Sequence, residues 1–249
     1  MRYLGGKARI AKHIVKVLNE YREPNQIFVE PFVGAANIIS RMDGERHAYD
    51  NHNELIELYK ALQNGWIPPS ELSETEYDIL KNETEKLHLK AFAGFGCSFS
   101  GKYFGGYARD NRGDDYCGAA KRTLLRDIAK MRDVVFKCED YRNIEYNNAL
   151  IYCDPPYAKT TKYTTGSFDS EAFWQWCRNM SNKGNTVIVS EYTAPDDFGC
   201  IWSKDVKLEL RSKNGREDRV EKLFTPMAAI ADKARAFLIF DTNAPMLIK

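Results

Sequence analysis

Apolar positions recur along this chain in two rhythms. From Ala8 to Leu18 they fall at helical spacing, with Ile10, Ile14, Val15, Val17 and Leu18 on or near one face. Ile27-Phe28-Val29 is instead a short strand; it breaks at Glu30-Pro31 and turns through Gly34 into a helix expected from about Ala35 to Arg41. His47-Ala48-Tyr49-Asp50-Asn51 reads as a second strand ending in an acid, followed by a helix from Asn53 to Leu62. Gly65-Trp66-Ile67-Pro68-Pro69 interrupts the pattern. Ser70 to Lys90 is charged and helical, with Leu72, Tyr77, Leu80 and Leu87 as its apolar positions, and Ala119 to Met131 is a basic helix. Further β-like runs are Val134 to Tyr141, Ala149 to Tyr152, Thr186 to Ser190, Val206 to Arg211 and Ala236 to Phe240. A helix capped by Asp169 or Ser170 carries Phe173, Trp174, Trp176 and Met180. Strands alternating with helices predict an α/β fold with a largely parallel sheet.

Composition narrows the class. The 249 residues are 43% hydrophobic and 29% charged, enough for a substantial core in one large domain or a domain with a small insert. Net charge is +1, so any nucleic-acid contact must rest on local positive charge. The six cysteines show no CxxC spacing and the four histidines no HExxH pair. That argues against a disulfide frame and a metal site. No apolar run approaches the length of a membrane span, so a soluble, intracellular protein is expected.

The strand at Ala149 to Tyr152 ends on Asp154-Pro155-Pro156-Tyr157. Proline lacks an amide hydrogen and restrains the residue before it, so this is a stiff turn at a strand's carboxyl end. Ligands bind at that edge of α/β sheets. An exocyclic base amine is a poor nucleophile because its lone pair is delocalised. A carboxylate and a carbonyl accepting its hydrogens localise that lone pair, and a stacked ring holds the base in plane. A proline-stiffened loop with Tyr157 merely packing is the plain structural alternative.

Other stretches suit other parts of such a site. Tyr3-Leu4-Gly5-Gly6-Lys7 puts a glycine turn and a lysine at a helix start, which suits an anion. Small residues at Gly34, Ala35 and Ala36 allow close approach to the backbone. Asp50 stands where an acid accepts ribose hydroxyls, although it or Asn51 would also cap the next helix. Phe92 to Arg109 is dense in glycine and aromatics, and its flanking basic residues suit contact with nucleic acid. The basic helix with Lys121 and Arg122 would face phosphates or simply solvent.

Taken in order, these motifs resemble the adenine-specific DNA methyltransferases of the Dam type, the D12 class. The resemblance runs from about residue 2 to residue 224. It rests on Tyr3-Leu4-Gly5-Gly6-Lys7, Val29-Glu30-Pro31-Phe32-Val33-Gly34, Asp50-Asn51 with Glu54-Leu55-Ile56, Phe99-Ser100-Gly101-Lys102-Tyr103, Tyr152 to Tyr157, and Arg211-Ser212-Lys213-Asn214-Gly215-Arg216. It implies a Rossmann-like S-adenosylmethionine-dependent methyltransferase sheet, formed by residues 1–63 and 133–249, with a small, mainly helical target-recognition insert at 64–132. The implied reaction is methyl transfer to the exocyclic amine of a flipped adenine in duplex DNA.

The resemblance also implies roles for particular residues. Asp154, Pro155, Pro156 and Tyr157 would be catalytic. Tyr3, Gly6, Lys7, Glu30, Pro31, Phe32, Gly34, Ala35, Ala36, Asn37, Asp50, Asn51, Asp140, Tyr141 and Asp154 would line the cofactor, with Asp50 at the ribose and Asp140 at the adenine. Lys102, Tyr103, Arg109, Arg112, Lys121, Arg122, Arg211, Lys213, Asn214 and Arg216 would contact DNA. One departure is that Ala35-Ala36 and Asn37 follow Gly34 where family members usually have glycine, and alanine restricts φ. The alternatives are cytosine's exocyclic amine, an RNA or protein amine, or a DNA-binding protein without turnover. A monomer without an obligate protein partner, in a bacterial or phage-infected cytoplasm, is expected.

Overall fold

The computed structural model describes residues 3, 5–109, 115–156, 168–207 and 218–231. The chain divides into two units, Met1–Ile144 and Glu145–Lys249.

The first unit holds three parallel strands, β1 (Ile27–Glu30), β2 (Arg46–Asp50) and β3 (Val135–Cys138), in the order β3-β2-β1. Phe28 pairs with Arg46 and Glu30 with Ala48, while Ala48 pairs with Phe136 and Asp50 with Cys138. This register lines up the carboxyl ends, so Glu30, Asp50 and the residues after Cys138 emerge along one edge. Helix α1 (Ala11–Tyr21) buries Ala11, Ile14, Val17 and Leu18, the face expected from the sequence, although it starts three residues later than expected. Helix α2 (Asn53–Gln63) buries Leu55, Ile56, Leu58, Tyr59 and Leu62. Each such aliphatic side chain contributes about 1.5–3 kcal/mol by leaving water. Tyr59 stacks on Phe136 of β3 with ring centroids 4.8 Å apart, fixing the helix over the strands.

The segment after α2 departs from the expected single helix over Ser70 to Lys90. Ser73 and Glu76 form a reciprocal capping box that starts α3 (Glu74–Leu80). Turn residues at 81–86 then separate it from α4 (Leu87–Ala91). A π-helical turn, Phe92–Gly96, continues α4. The basic helix α5 spans Tyr116–Ile128, earlier than expected, because the Asp115 side chain caps it at Gly118 N. The helix expected at Ala35 to Arg41 is reduced to a 3-10 turn, Ile39–Arg41. Ala36 stands at φ 54°, in the left-handed region, and a right-handed helix cannot run through it.

The second unit contains β4 (Ala149–Cys153), α6 (Ser170–Asn182), β5 (Thr186–Glu191), β6 (Phe198–Lys207) and β7 (Asp218–Pro226). Its strand order is β4-β5-β7-β6. β4 and β5 are parallel, with Leu150 opposite Thr186 and Cys153 opposite Val189. Every residue of β4 is buried, as its unbroken apolar run requires. β7 runs antiparallel to both β5 and β6. Buried Asn185 accepts the Ala149 N–H at 2.9 Å and donates to the carbonyls of Tyr146 and Met180, which sets where β4 begins. The fold class is α/β, as expected. Most of β6 and all of β7 went unread in the sequence, where mixed charges obscure their alternation. The expected strand at Ala236 to Phe240 lies outside the described residues, as do residues 208–211 of the Val206 to Arg211 run.

Candidate functional site

The carboxyl edge of β1 and β2 gathers most of the residues expected to hold a cofactor. After Glu30 the chain turns through Pro31 and Phe32. The Val33 N–H bonds the Tyr49 carbonyl at 2.8 Å, and Ala36 N closes a turn on Val33 O at 2.7 Å. Gly34 has φ 42°. Its N–H donates to Asp50 Oδ2 at 3.0 Å, and its carbonyl accepts from Tyr59 Oη at 2.7 Å. The turn is therefore held from β2 and from α2 at once.

Asp50 Oδ1 accepts the His52 N–H at 3.0 Å, so both carboxylate oxygens serve backbone donors. Burial pushes the Asp50 carboxyl up from its usual range, and the amides of His52, Gly34 and Asn51 oppose that shift. Burial also drives the Tyr59 hydroxyl well above its ordinary value, reinforced by Asp50 and Glu30. Asn51 is exposed at the start of the turn into α2.

Tyr3, Gly6, Gly34 and Asn37 come together. A Cβ on Gly34 would lie 3.2 Å from the Tyr3 ring, and one on Gly6 would lie 3.1 Å from Asn37 Nδ2. Lys7 is buried, 5% exposed, in the turn before α1. Glu30, 3% exposed, accepts the Ile39 N–H at 2.9 Å and so caps the 3-10 turn. Phe32 and Tyr141 meet with ring centroids 5.3 Å apart. Asp140 is turned toward Arg142, accepting its backbone N–H at 2.9 Å and its guanidinium at 2.7–2.8 Å. That guanidinium holds the Asp140 carboxyl below its usual range.

In the second unit, Asp154 follows the last residue of β4. It is half-buried, and Pro155 behind it is buried. Tyr157 lies outside the described residues, as do Arg112, Arg211, Lys213, Asn214 and Arg216. Residues 158–167 and 208–217 as a whole lie outside the described residues.

The glycine–aromatic segment folds back on itself. Phe99 N bonds Gly106 O at 2.9 Å, and Ala108 N bonds Cys97 O at 2.9 Å. The tip turns through Ser100 and Gly101, both at positive φ. Lys102 is exposed at this tip. Tyr103 points inward: its ring lies 4.6 Å from Phe95 and 4.5 Å from His52, and a Cβ on Gly94 would come within 2.4 Å of it. Phe95 in turn stacks on Tyr3 at 5.0 Å. Arg109 forks onto the Glu74 carboxylate, Arg122 pairs with Asp115, and Lys121 donates to Ser70 Oγ at 2.8 Å.

Sequence reasoning gave no role to Tyr59, Phe95 or Phe99, although Phe99 opens one of the quoted motifs. Tyr59 and Phe95 look like core in a sequence, because they lie in apolar patterns. Phe99 is the informative one: it is 61% exposed beside Lys102.

With this geometry in view, the comparisons are specific. A family profile described as D12 class N6 adenine-specific DNA methyltransferase matches residues 3–92. It is 27% identical over 250 residues to the DNA adenine methylase of Vibrio cholerae, covering 90% of this chain and 83% of that one. It is 26% identical over 208 residues to the DNA adenine methylase of Escherichia coli K12, covering 69% and 71%. Among solved structures it overlaps an rRNA methylase from Streptococcus thermophilus with a TM-score of 0.37 at 6% identity, covering 87% of this chain and 96% of that one.

Proposed function

We propose that this protein is a site-specific DNA adenine methyltransferase that uses S-adenosylmethionine and acts on duplex DNA. The observation that carries this reading is the collinear motif set, from Tyr3-Leu4-Gly5-Gly6-Lys7 to Asp154-Pro155-Pro156-Tyr157, in a chain whose curated relatives are DNA adenine methylases.

The residues at the β1–β2 edge fit an adenosine-bearing cofactor chemically. Asp50 retains lone pairs for ribose hydroxyls beyond the backbone donors it accepts. Phe32 and Tyr141 offer ring faces for a purine. Lys7, Glu30, Pro31, Asn37 and the small Ala35 and Ala36 surround the methionine end in this reading. Bound S-adenosylmethionine supplies an electrophilic sulfonium methyl.

The chain's own contribution is positioning. Asp154 and the Pro155 carbonyl accept the two hydrogens of the target amine, which localises its lone pair. Pro156 stiffens the turn, and Tyr157 stacks on the base. As the amine acquires the methyl, its surplus proton passes toward Asp154. The adenine must leave the helix stack first, at a cost of a few kcal/mol.

Residues 64–132 form the target-recognition insert within the catalytic domain of 1–63 and 133–249. Lys102, Arg109, Arg112, Lys121 and Arg122 meet DNA, as do Arg211, Lys213, Asn214 and Arg216. Tyr103, packed inward, supports the tip that carries Phe99 and Lys102. The protein works as a monomer in a bacterial cytoplasm, where its substrate is.

The test is incubation with unmethylated genomic DNA and S-adenosylmethionine, followed by single-molecule sequencing. Methylated adenine in a short recurring motif is the expected result. Modified cytosine, or unmodified DNA from folded protein that binds the cofactor, overturns it.

A further inference from the structure

The six cysteines show no paired spacing, yet the fold brings two of them together. Cys97 follows the π-helical turn Phe92–Gly96, and Cys117 lies in the first turn of α5. Both side chains are buried, each thiol shifts the other's titration, and Cys117 Sγ donates to the Pro69 carbonyl at 3.7 Å. The backbones are in register: a Cβ on Gly96 would lie 3.0 Å from the Ala120 Cβ, one helical turn beyond Cys117. Cys97 and Cys117 line a solvent-open cavity of about 590 Å³, together with Ser73, Glu76, Tyr107 and Asp115. They also bracket residues 98–116, which carry Phe99, Lys102, Tyr103 and Arg109.

We propose that Cys97 and Cys117 are a modification site, a dithiol that a peroxide converts to a disulfide stapling the base of segment 98–116 and weakening its hold on DNA. The effect on DNA rests on the methyltransferase reading above; formation of the bond does not.

The chemistry balances with peroxide as oxidant. The Cys117 thiolate attacks one peroxide oxygen, forming S–O and breaking O–O, and the leaving hydroxide takes a proton to become water. Cys97, deprotonated in turn, attacks the Cys117 sulfenic sulfur. S–S forms, S–O breaks, and the second hydroxide leaves as water. Two thiols are oxidised and one peroxide is reduced to two waters. The order of attack follows from the pair itself: Cys97 holds the Cys117 thiol below its usual range, and Cys117 and burial push Cys97 up. A disulfide requires about 2.05 Å between sulfurs, far closer than two unbonded thiols stand. Gly96 already rests on Ala120, so the segment's base must shift to allow it.

The test exposes the full chain to hydrogen peroxide, blocks remaining thiols, and maps linked peptides by mass spectrometry. DNA affinity is measured before oxidation, after it, and after dithiothreitol. The expected product is a Cys97–Cys117 cross-link ahead of any product at the exposed Cys138 and Cys200. DNA affinity should fall about fivefold or more and recover on reduction, because a displaced binding element loses preorganisation. Cys97→Ser should abolish both effects, and Cys117→Ser serves if that variant does not fold. Oxidation confined to Cys138 and Cys200, or a cross-link that leaves DNA affinity unchanged, overturns the proposal. Reduced protein that does not bind DNA overturns the methyltransferase reading instead, and the peptide map still decides the bond.

Discussion

The Asp50 carboxylate accepts the Gly34 N–H at 3.0 Å, so the acid that ends β2 holds the turn that follows β1. Asp50→Ala would leave the Gly34 and His52 amides without that acceptor. A loss of about 2–4 kcal/mol in urea unfolding is expected, from about 1–3 kcal/mol per unsatisfied buried donor. S-adenosylmethionine affinity by calorimetry should fall at least tenfold, by about 1.4 kcal/mol or more. The pH dependence follows from the raised Asp50 carboxyl. Its contribution to stability is complete below the ordinary value of 3.8 and is lost as pH rises through the folded value. Asp50→Asn removes that decline, so the two stability curves should converge at acid pH once the shared offset is subtracted.

Ala36 occupies φ 54° and is 2% exposed. Glycine enters that region without a Cβ penalty, which is about 1–2 kcal/mol for other residues. Ala36→Gly should therefore raise stability by about 0.5–1 kcal/mol after glycine's greater unfolded-state freedom is subtracted. A lowered melting temperature in that variant would show that the alanine Cβ makes contacts worth more than the strain.

Asp154→Ala should reduce methyl transfer at least a thousandfold, since a lost preorganised acceptor costs on the order of 10²–10³ and the amine here loses its orientation as well. Cofactor binding should change little. Equal loss of cofactor affinity and turnover would assign Asp154 to cofactor binding instead.

Phe99 is 61% exposed at a tight tip, so truncating it removes little core. In the methyltransferase reading such a ring would wedge into or stack on bases. Phe99→Ala should weaken DNA binding about tenfold, from about 1–3 kcal/mol per stacked base, with an unchanged melting temperature.

Arg109 is forked onto Glu74, and both side chains are substantially exposed. Exposed pairs are worth about 0–1 kcal/mol, so a DNA phosphate can displace the carboxylate cheaply. Glu74→Gln should strengthen DNA binding about two- to fivefold at low salt, an advantage that shrinks as salt screens it. Binding that is unchanged at every salt concentration would remove Arg109 from the interface.

The parts of this molecule legible in the sequence are those with one strong local cause. β4 showed itself as an unbroken apolar run ended by Asp154-Pro155-Pro156, and α2 as an amphipathic helix. The Glu30 to Gly34 turn was legible from its proline and glycine. The helix expected after Gly34 was not formed, because Ala36 adopts a conformation its residue type rarely signals. Tyr103 was read as a DNA contact, yet the flat surface of Gly94 draws it inward. Arg109 and Arg122 were expected at DNA, and the carboxylates facing them, 35 and seven positions away, were not foreseen. Cys97 and Cys117 stand twenty positions apart in the chain, and no spacing rule encodes their meeting.

The antiparallel pair β6–β7 has a consequence for how these molecules behave in a crowd. β6 is ten residues long and forms the outer edge of its ladder among the described residues. A long open edge invites another chain to extend the sheet. Here the register slips between Cys200 and Trp202, and Lys204 and Asp205 follow. The kink twists the edge away from flat pairing and the charges resist a second copy. The bulge and the charges at Lys204 and Asp205 both disfavour that pairing along the ribbon.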